Sequence, residues 1–208
     1  MNLGLYVITD EGVSHGLSHV EIARKVAEGG ADVIQLRDKA RTEKDLMSIA
    51  LQIGEITRSS GISFIINDRL DLALACGADG VHLGQEDLPL PFARRISPKG
   101  FMIGMSVKSV QEALIAESEG ADYLALSPIF DTPTKHDAGP GKGLERFREI
   151  KSAISIPVIA IGGISKTNVH QVMEAGADGV AVISAVVGQK DISRATAEMR
   201  SLIYDHKK

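Results

Sequence analysis

Eight short apolar runs alternate along the chain with longer stretches of helical character. The pattern is clearest in the even-numbered runs. Each begins just after the aspartate of a Gly-Ala-Asp triplet, at Asp32, Asp79, Asp122 and Asp178. Two and four residues past these aspartates stand Ile34 and Leu36, Val81 and Leu83, Leu124 and Leu126, Val180 and Val182. Three and five residues past them stand Gln35 and Arg37, His82 and Gly84, Ala125 and Ser127, Ala181 and Ile183. Side chains alternate faces along a strand. The first set should therefore meet surrounding helices, and the second, mostly polar or small, should face an interior axis.

The odd-numbered runs are Leu3–Thr9, Ser63–Asn67, Phe101–Ser106 and Pro157–Ile161. Helices are expected over stretches such as Val20–Glu28, Thr42–Ser59, Val110–Glu119 and Asn168–Glu174. The triplets stand 47, 43 and 56 residues apart, too far for one strand–helix unit and about right for two. Their glycines suit helix ends, because glycine takes the left-handed conformation at little cost. Strands alternating with helices indicate a parallel sheet with helical crossovers. Eight units in 208 residues predict one α/β domain over residues 1–208, a (βα)8 TIM barrel. A flavodoxin-like open sheet is the alternative, though it would not readily require eight units.

A hydrophobic content of 44% and a charged content of 24% are ordinary for a soluble globular protein. The formal net charge of −4 argues against nucleic acid or an anionic membrane as partner. It leaves room for a local basic pocket that takes a small phosphorylated molecule. The single cysteine, Cys76, rules out an intrachain disulfide and reads as a buried helix residue, not a catalytic thiol. The first ten residues read as a strand, not a signal peptide, and no segment approaches the ~20 apolar residues of a membrane span. A cytoplasmic location is expected.

In such a barrel the chemistry sits at the carboxyl ends of the strands. Those ends carry Gln35 to Lys39, Asn67-Asp68-Arg69, Gly84 to Asp87, Ser106, Ser127 to Lys135, Gly162-Gly163 and Ile183-Ser184. Asp68 and Asp87 follow neighbouring strands, and two close carboxylates repel unless something positive lies between them. Mg²⁺ takes one or two carboxylates and fills its other positions with water and phosphate oxygens. The alternative is that both aspartates cap the following helices. Arg37, Lys39 and Lys135 suit phosphate contact, or else are solvated surface charge. Gly162-Gly163 after strand 7, with Ser184 after strand 8, suggests a backbone anion site. The Asp131–Gly143 loop, rich in Gly, Pro and Thr, reads as a lid or as disorder. His82 reads either as a core residue or as a pocket contact.

These motifs together resemble the thiamine-phosphate synthase family over essentially the whole chain. They are Gln35-Leu36-Arg37-Asp38-Lys39, Ile66-Asn67-Asp68-Arg69, His82 to Asp87, Thr132-Pro133-Thr134-Lys135 and Ile161-Gly162-Gly163-Ile164. The resemblance implies a transferase that joins a pyrimidine diphosphate to a thiazole phosphate and releases pyrophosphate. It implies that Gln35, Leu36, Arg37, Asp38, Lys39, Asn67, Ser106 and Lys135 hold the pyrimidine diphosphate, with Mg²⁺ on Asp68 and Asp87. Arg37, Lys39 and Lys135 would supply catalytic positive charge. Thr132, Pro133, Thr134, Gly163, Ile183 and Ser184 would hold the thiazole phosphate. The chain departs from the family pattern near Val107-Lys108, where His or Thr is expected, and at Ser127, where Gly is expected. A thiazole tautomerase of the same superfamily and a non-catalytic phosphate-ligand binder are the competing readings.

Overall fold

In the computed structural model, which describes residues 2–132 and 141–205, eight parallel strands close into a barrel. They are β1 (Leu5–Ile8), β2 (Val33–Leu36), β3 (Ser63–Asn67), β4 (Gly80–Leu83), β5 (Met102–Val107), β6 (Tyr123–Leu126), β7 (Val158–Ile161) and β8 (Gly179–Val182). Helices follow them in turn: α1 (His19–Glu28), α2 (Glu43–Ser60), α3 (Leu70–Cys76), α4 (Leu90–Ile96), α5 (Val110–Ser118), α6 (Gly143–Ala153), α7 (Val169–Glu174) and α8 (Ile192–Asp205). β8 pairs with β1, Ala181 opposite Tyr6, so the sheet has no edge and the open-sheet alternative is excluded. Cys76 is buried in the last turn of α3, and burial pushes its thiol pKa up. Among the described residues no helix is long and apolar enough to cross a membrane.

The Gly-Ala-Asp triplet performs the same three tasks in each of its four copies. Gly30, Gly77, Gly120 and Gly176 take left-handed φ values of 82°, 69°, 94° and 91°, which end the preceding helix. The next N–H, on Ala31, Ala78, Ala121 and Ala177, donates back to the carbonyl of Val26, Ala73, Ala116 and Val172. That six-to-one bond closes the helix terminus. The aspartate then clasps the preceding odd strand. Its N–H donates to the carbonyl of Leu5, Phe64, Ile103 and Val158 in turn. Its carboxylate accepts the N–H of the same four residues, at 2.8, 2.7, 2.7 and 2.7 Å. Each odd strand is thus fixed at its amino end, opposite the end that carries the chemistry.

The alternation of faces follows the sequence pattern. Ile34, Leu36, Val81, Leu83, Leu124, Leu126, Val180 and Val182 belong to the larger hydrophobic cluster that includes the helices' buried faces. A second, smaller cluster fills the barrel axis with Tyr6, Val33, Ile65, Tyr123, Ala125, Ile159 and Ala181.

Removing one clasp should cost stability and leave the chemistry intact. Asp79→Ala strands the N–H of Phe64, a residue only 2% exposed. An unsatisfied buried donor costs about 1–3 kcal/mol. Denaturant unfolding should show that loss, with KM and kcat unchanged. A large fall in kcat at unchanged stability would contradict the assignment.

Candidate active site

The strand ends form one interior cavity, of about 380 Å³, at the carboxyl end of the barrel. Gln35, Arg37, Lys39, Asn67, Asp68, Asp87 and Ser106 all line it. So do all eight residues that the strand alternation turns inward, including His82, Ser127 and Ile183. Two members of the proposed pyrimidine-binding segment do not. Leu36 is buried in the outer cluster against the helices, as its strand parity requires. Asp38 turns back into its own loop, where its carboxylate accepts the N–H groups of Ala40 and Arg41 at 2.7 and 3.0 Å and the Arg41 guanidinium at 2.5 Å. His19 stands 3.2 Å away. Those donors outweigh the cost of burial and hold the Asp38 carboxyl well below the usual range. Asp38 therefore shapes the loop that presents Arg37 and Lys39.

Asp68 and Asp87 are not helix caps. Arg69 and Pro89 occupy the cap positions of α3 and α4, and neither makes a side-chain capping bond. Asp68 instead sits at a φ of 61°, a left-handed turn that Asp and Asn tolerate better than other side chains. Its N–H donates to the His82 carbonyl at 2.8 Å, which ties the turn to β4. Asp87 accepts the Gly84 N–H at 2.6 Å. Burial, then the neighbouring charge of Asp87, pushes the Asp68 carboxyl up to about 6, against the pull of Lys39 and Arg37. Two carboxylates forced together beside two cations are a donor set suited to a divalent metal and an anionic ligand. Among the described residues no third His, Cys, Asp or Glu joins them.

A second, more open cleft of about 700 Å³ adjoins the ends of β7 and β8. Thr132, Gly163 and Ser184 line it, whereas Ile183 lines the interior cavity, so the β8 end borders both spaces. Gly163, Ile164 and Ala185 line this cleft, and their N–H groups donate to no backbone carbonyl among the described residues. Beyond them a helical turn forms, with Val187 N–H donating to Ile183 O at 2.7 Å and Gly188 N–H to Ser184 O at 3.2 Å. Such an exposed helical start is a ready anion site. Gly162 and Gly163, at φ 99° and 65°, are required on the protein side as well. A Cβ on Gly163 would stand 2.7 Å from the Asp131 carbonyl, so the loop after β7 lies directly against the loop after β6. Pro133, Thr134 and Lys135 lie outside the described residues, as does most of the Asp131–Gly143 loop.

Sequence reasoning missed the loop after β1. Gly12, Val13, His15 and Gly16 wall the open cleft, and the His15 Nε2 lies 3.1 Å from the Gly188 carbonyl. The available signal was a polar, glycine-bearing stretch at a strand's carboxyl end. His82, open between core and pocket, is a pocket residue: it lines the cavity and reaches the Ser106 Oγ at 2.9 Å.

The carboxylate pair carries a pH signature. A carboxyl whose folded pKa is raised to about 6 favours the folded state fully below 3.8, its unfolded value. That contribution is lost as pH rises through about 6. Asp68→Asn, which also accepts the left-handed turn, should therefore stabilise the ligand-free protein at pH 8 by on the order of 1 kcal/mol, about 2–4 °C in Tm. The gain should vanish near pH 4. Thermal unfolding at the two pH values, without metal or substrate, checks this; an equal gain at both would show that the ionised, half-buried carboxylate is not the cause.

The sequence profile described as thiamine monophosphate synthase matches residues 5–186. A thiamine-phosphate synthase of Methanoculleus marisnigri is 58% identical over 203 residues, covering 98% of this chain and 96% of the relative. One from Chloroflexus aurantiacus is 46% identical, covering 96% and 92%. Among solved structures, the thiamine phosphate pyrophosphorylase of Pyrococcus furiosus superposes with a TM-score of 0.92 at 44% identity, covering 99% of this chain and 97% of the other.

Proposed function

This chain belongs to the thiamine monophosphate synthase family, and on that premise we propose how its two cavities divide the work. The enzyme is a transferase that condenses 4-amino-2-methyl-5-(diphosphooxymethyl)pyrimidine with 4-methyl-5-(2-phosphooxyethyl)thiazole to thiamine phosphate, releasing pyrophosphate. The observation that carries the division is the border at Ile183-Ser184, where a cavity lined by Asp68, Asp87, Arg37 and Lys39 meets a cleft lined by Gly163, Ile164 and Ala185. The pyrimidine diphosphate takes the interior cavity, with Gln35, Asn67 and Ser106 around the ring and Arg37 and Lys39 toward the phosphates. Lys135 completes the cation set. The thiazole phosphate takes the cleft, on the N–H groups around Gly163 and Ser184 and on the Thr132–Thr134 segment. The reacting carbon and nitrogen then meet at the shared border.

Asp68 and Asp87 would hold Mg²⁺, which when bound supplies positive charge against the diphosphate oxygens. Arg37, Lys39 and Lys135 act in the same sense, opposing the negative charge that grows as the C–O bond breaks. Pyrophosphate leaves with the bonding pair, the aminopyrimidine spreads the positive charge of its methylene carbon, and the thiazole nitrogen donates the pair that forms the new bond. No protein nucleophile is required, so the protein mainly orients two substrates and excludes the water that would trap the cation. A thiazole tautomerase would need neither the carboxylate pair nor the cation cluster. Enzymatic work on small phosphorylated molecules and a reduced, buried Cys76 fit the cytoplasm, where we place the protein.

Purified protein given both substrates and Mg²⁺ should release pyrophosphate in step with thiamine phosphate, and chelator should abolish both. Lys135→Ala should lower kcat more than it raises KM for the pyrimidine diphosphate, because its charge matters most as the bond breaks. Absence of pyrophosphate would return the protein to the phosphate-binder class. Normal single-turnover rates in Lys135→Ala would remove that lysine from the chemistry.

A further inference from the structure

A buried chain of hydrogen bonds crosses the barrel beneath the interior cavity and joins two residues on its wall. Gln35 Nε2 donates to Tyr6 Oη at 2.7 Å. Tyr6 Oη lies 3.1 Å from Tyr123 Oη, Tyr123 Oη lies 3.1 Å from His82 Nδ1, and His82 Nε2 lies 2.9 Å from Ser106 Oγ. Tyr6 and Tyr123 are 1% and 0% exposed, and the His82 ring stacks on Tyr123 with centroids 5.5 Å apart. Gly104 on β5 leaves the space that the Tyr123 ring occupies, since a side-chain carbon there would overlap it. None of the three central residues is used by the chemistry above.

Proton counting gives this chain a direction. Each phenol has one proton, and both phenols stay protonated because burial opposes their ionisation. Tyr6 accepts from Gln35, and its only other partner among the described residues is Tyr123, so its proton goes there. Tyr123 then donates to His82 Nδ1, and in a neutral imidazole that leaves the ring proton on Nε2, donated to Ser106 Oγ. The Ser106 hydroxyl proton is left to point at a ligand; Gln35, with Nε2 held on Tyr6, keeps its carbonyl oxygen as an acceptor beside its second amide N–H.

We propose that Tyr6, Tyr123 and His82 are positioning residues that lock Gln35 as an acceptor and Ser106 as a donor, and so select an aminopyrimidine over a 4-oxopyrimidine. The inference rests on the pyrimidine reading of this cavity. The exocyclic amino N–H meets the Gln35 carbonyl, and a ring nitrogen accepts from Ser106. A 4-oxo group would set oxygen against oxygen. Turning the Gln35 amide to accommodate it would face its oxygen to Tyr6, whose proton is committed to Tyr123, so the whole chain would have to reverse. A site with fixed polarity rejects the mismatched analogue far more strongly than a free amide can.

The test is equilibrium binding of the aminopyrimidine diphosphate and its 4-oxo analogue to wild type, Tyr6→Phe, Tyr123→Phe and the double variant, without thiazole phosphate. Wild type should prefer the amino compound by about 100-fold or more. Each single variant should cut that preference to roughly tenfold or less, and the double variant should be no worse than either, because one break frees the whole chain. Imidazole ¹⁵N NMR should show the Nε2–H form of His82 in ligand-free wild type and a mixture of forms in Tyr123→Phe. A preference retained in all three variants, additive losses, or an Nδ1–H form in wild type would each overturn the proposal. If wild type binds neither pyrimidine, the site reading and the selectivity both fall, while the imidazole signal still reports whether the chain runs in this direction.

Discussion

Everything at the working end of this protein depends on how the odd strands are held at the other end. One aspartate per repeat grips both the N–H and the carbonyl of a single residue in the neighbouring strand. That double grip sets strand register, and register decides which side chains face the axis, since a slip of one residue exchanges the two faces. Leu36 against the helices and Gln35 in the cavity are consequences of the same Asp32 contact. In three of the four copies the aspartate also meets a cation: Arg200 with Asp32 at 3.8 Å, Arg94 with Asp122, and Lys151 with Asp178 at 2.6 Å.

A barrel fixed this way tolerates an unfavourable arrangement at its open end. Asp68 and Asp87 repel each other in a partly buried setting, and Asp68 sits in a backbone conformation that few residues adopt. Sites of this kind hold strain that the surrounding structure stabilises and that a ligand relieves. The two cavities meet this need differently. The interior one gathers charge, suited to a diphosphate, and the open cleft offers neutral backbone donors, suited to a monophosphate. On the proposed division, separate recognition of the two phosphates would let each substrate enter in one orientation, with the reacting atoms at the border.

Family membership and the interior polar chain bear on different aspects of function. The likeness to thiamine-phosphate synthases identifies the reaction. The proposed direction of hydrogen bonding from Gln35 to Ser106 concerns what the cavity accepts within that reaction, and it depends on Tyr6, Tyr123 and His82.

Much of the architecture was legible in the chain itself. The triplet glycines, the strand parity after each triplet and the polar residues at strand ends are local features, and local physics acts on them without knowledge of the rest: left-handed caps at glycine and alternating faces along strands. The predicted β3 matches residue for residue, and the other strands lie within their predicted runs or within a residue or two of them. What the sequence could not decide depended on which side chains meet across the barrel. Asp38 belongs to the strand-end motif, yet it closes its own loop because Arg41 and two backbone N–H groups outcompete the cavity for it. Asp68 and Asp87 do not cap α3 and α4 because the chain places Arg69 and Pro89 at the cap positions. His15, which belongs to none of the strand-end motifs, joins a cleft completed by Gly188 near the other end of the chain. Likewise Gln35, Tyr6, Tyr123, His82 and Ser106 come from five strands. Only closure of the barrel brings their polar atoms within hydrogen-bond distance, and hydrogen bonds depend on distances that no sequence spacing encodes.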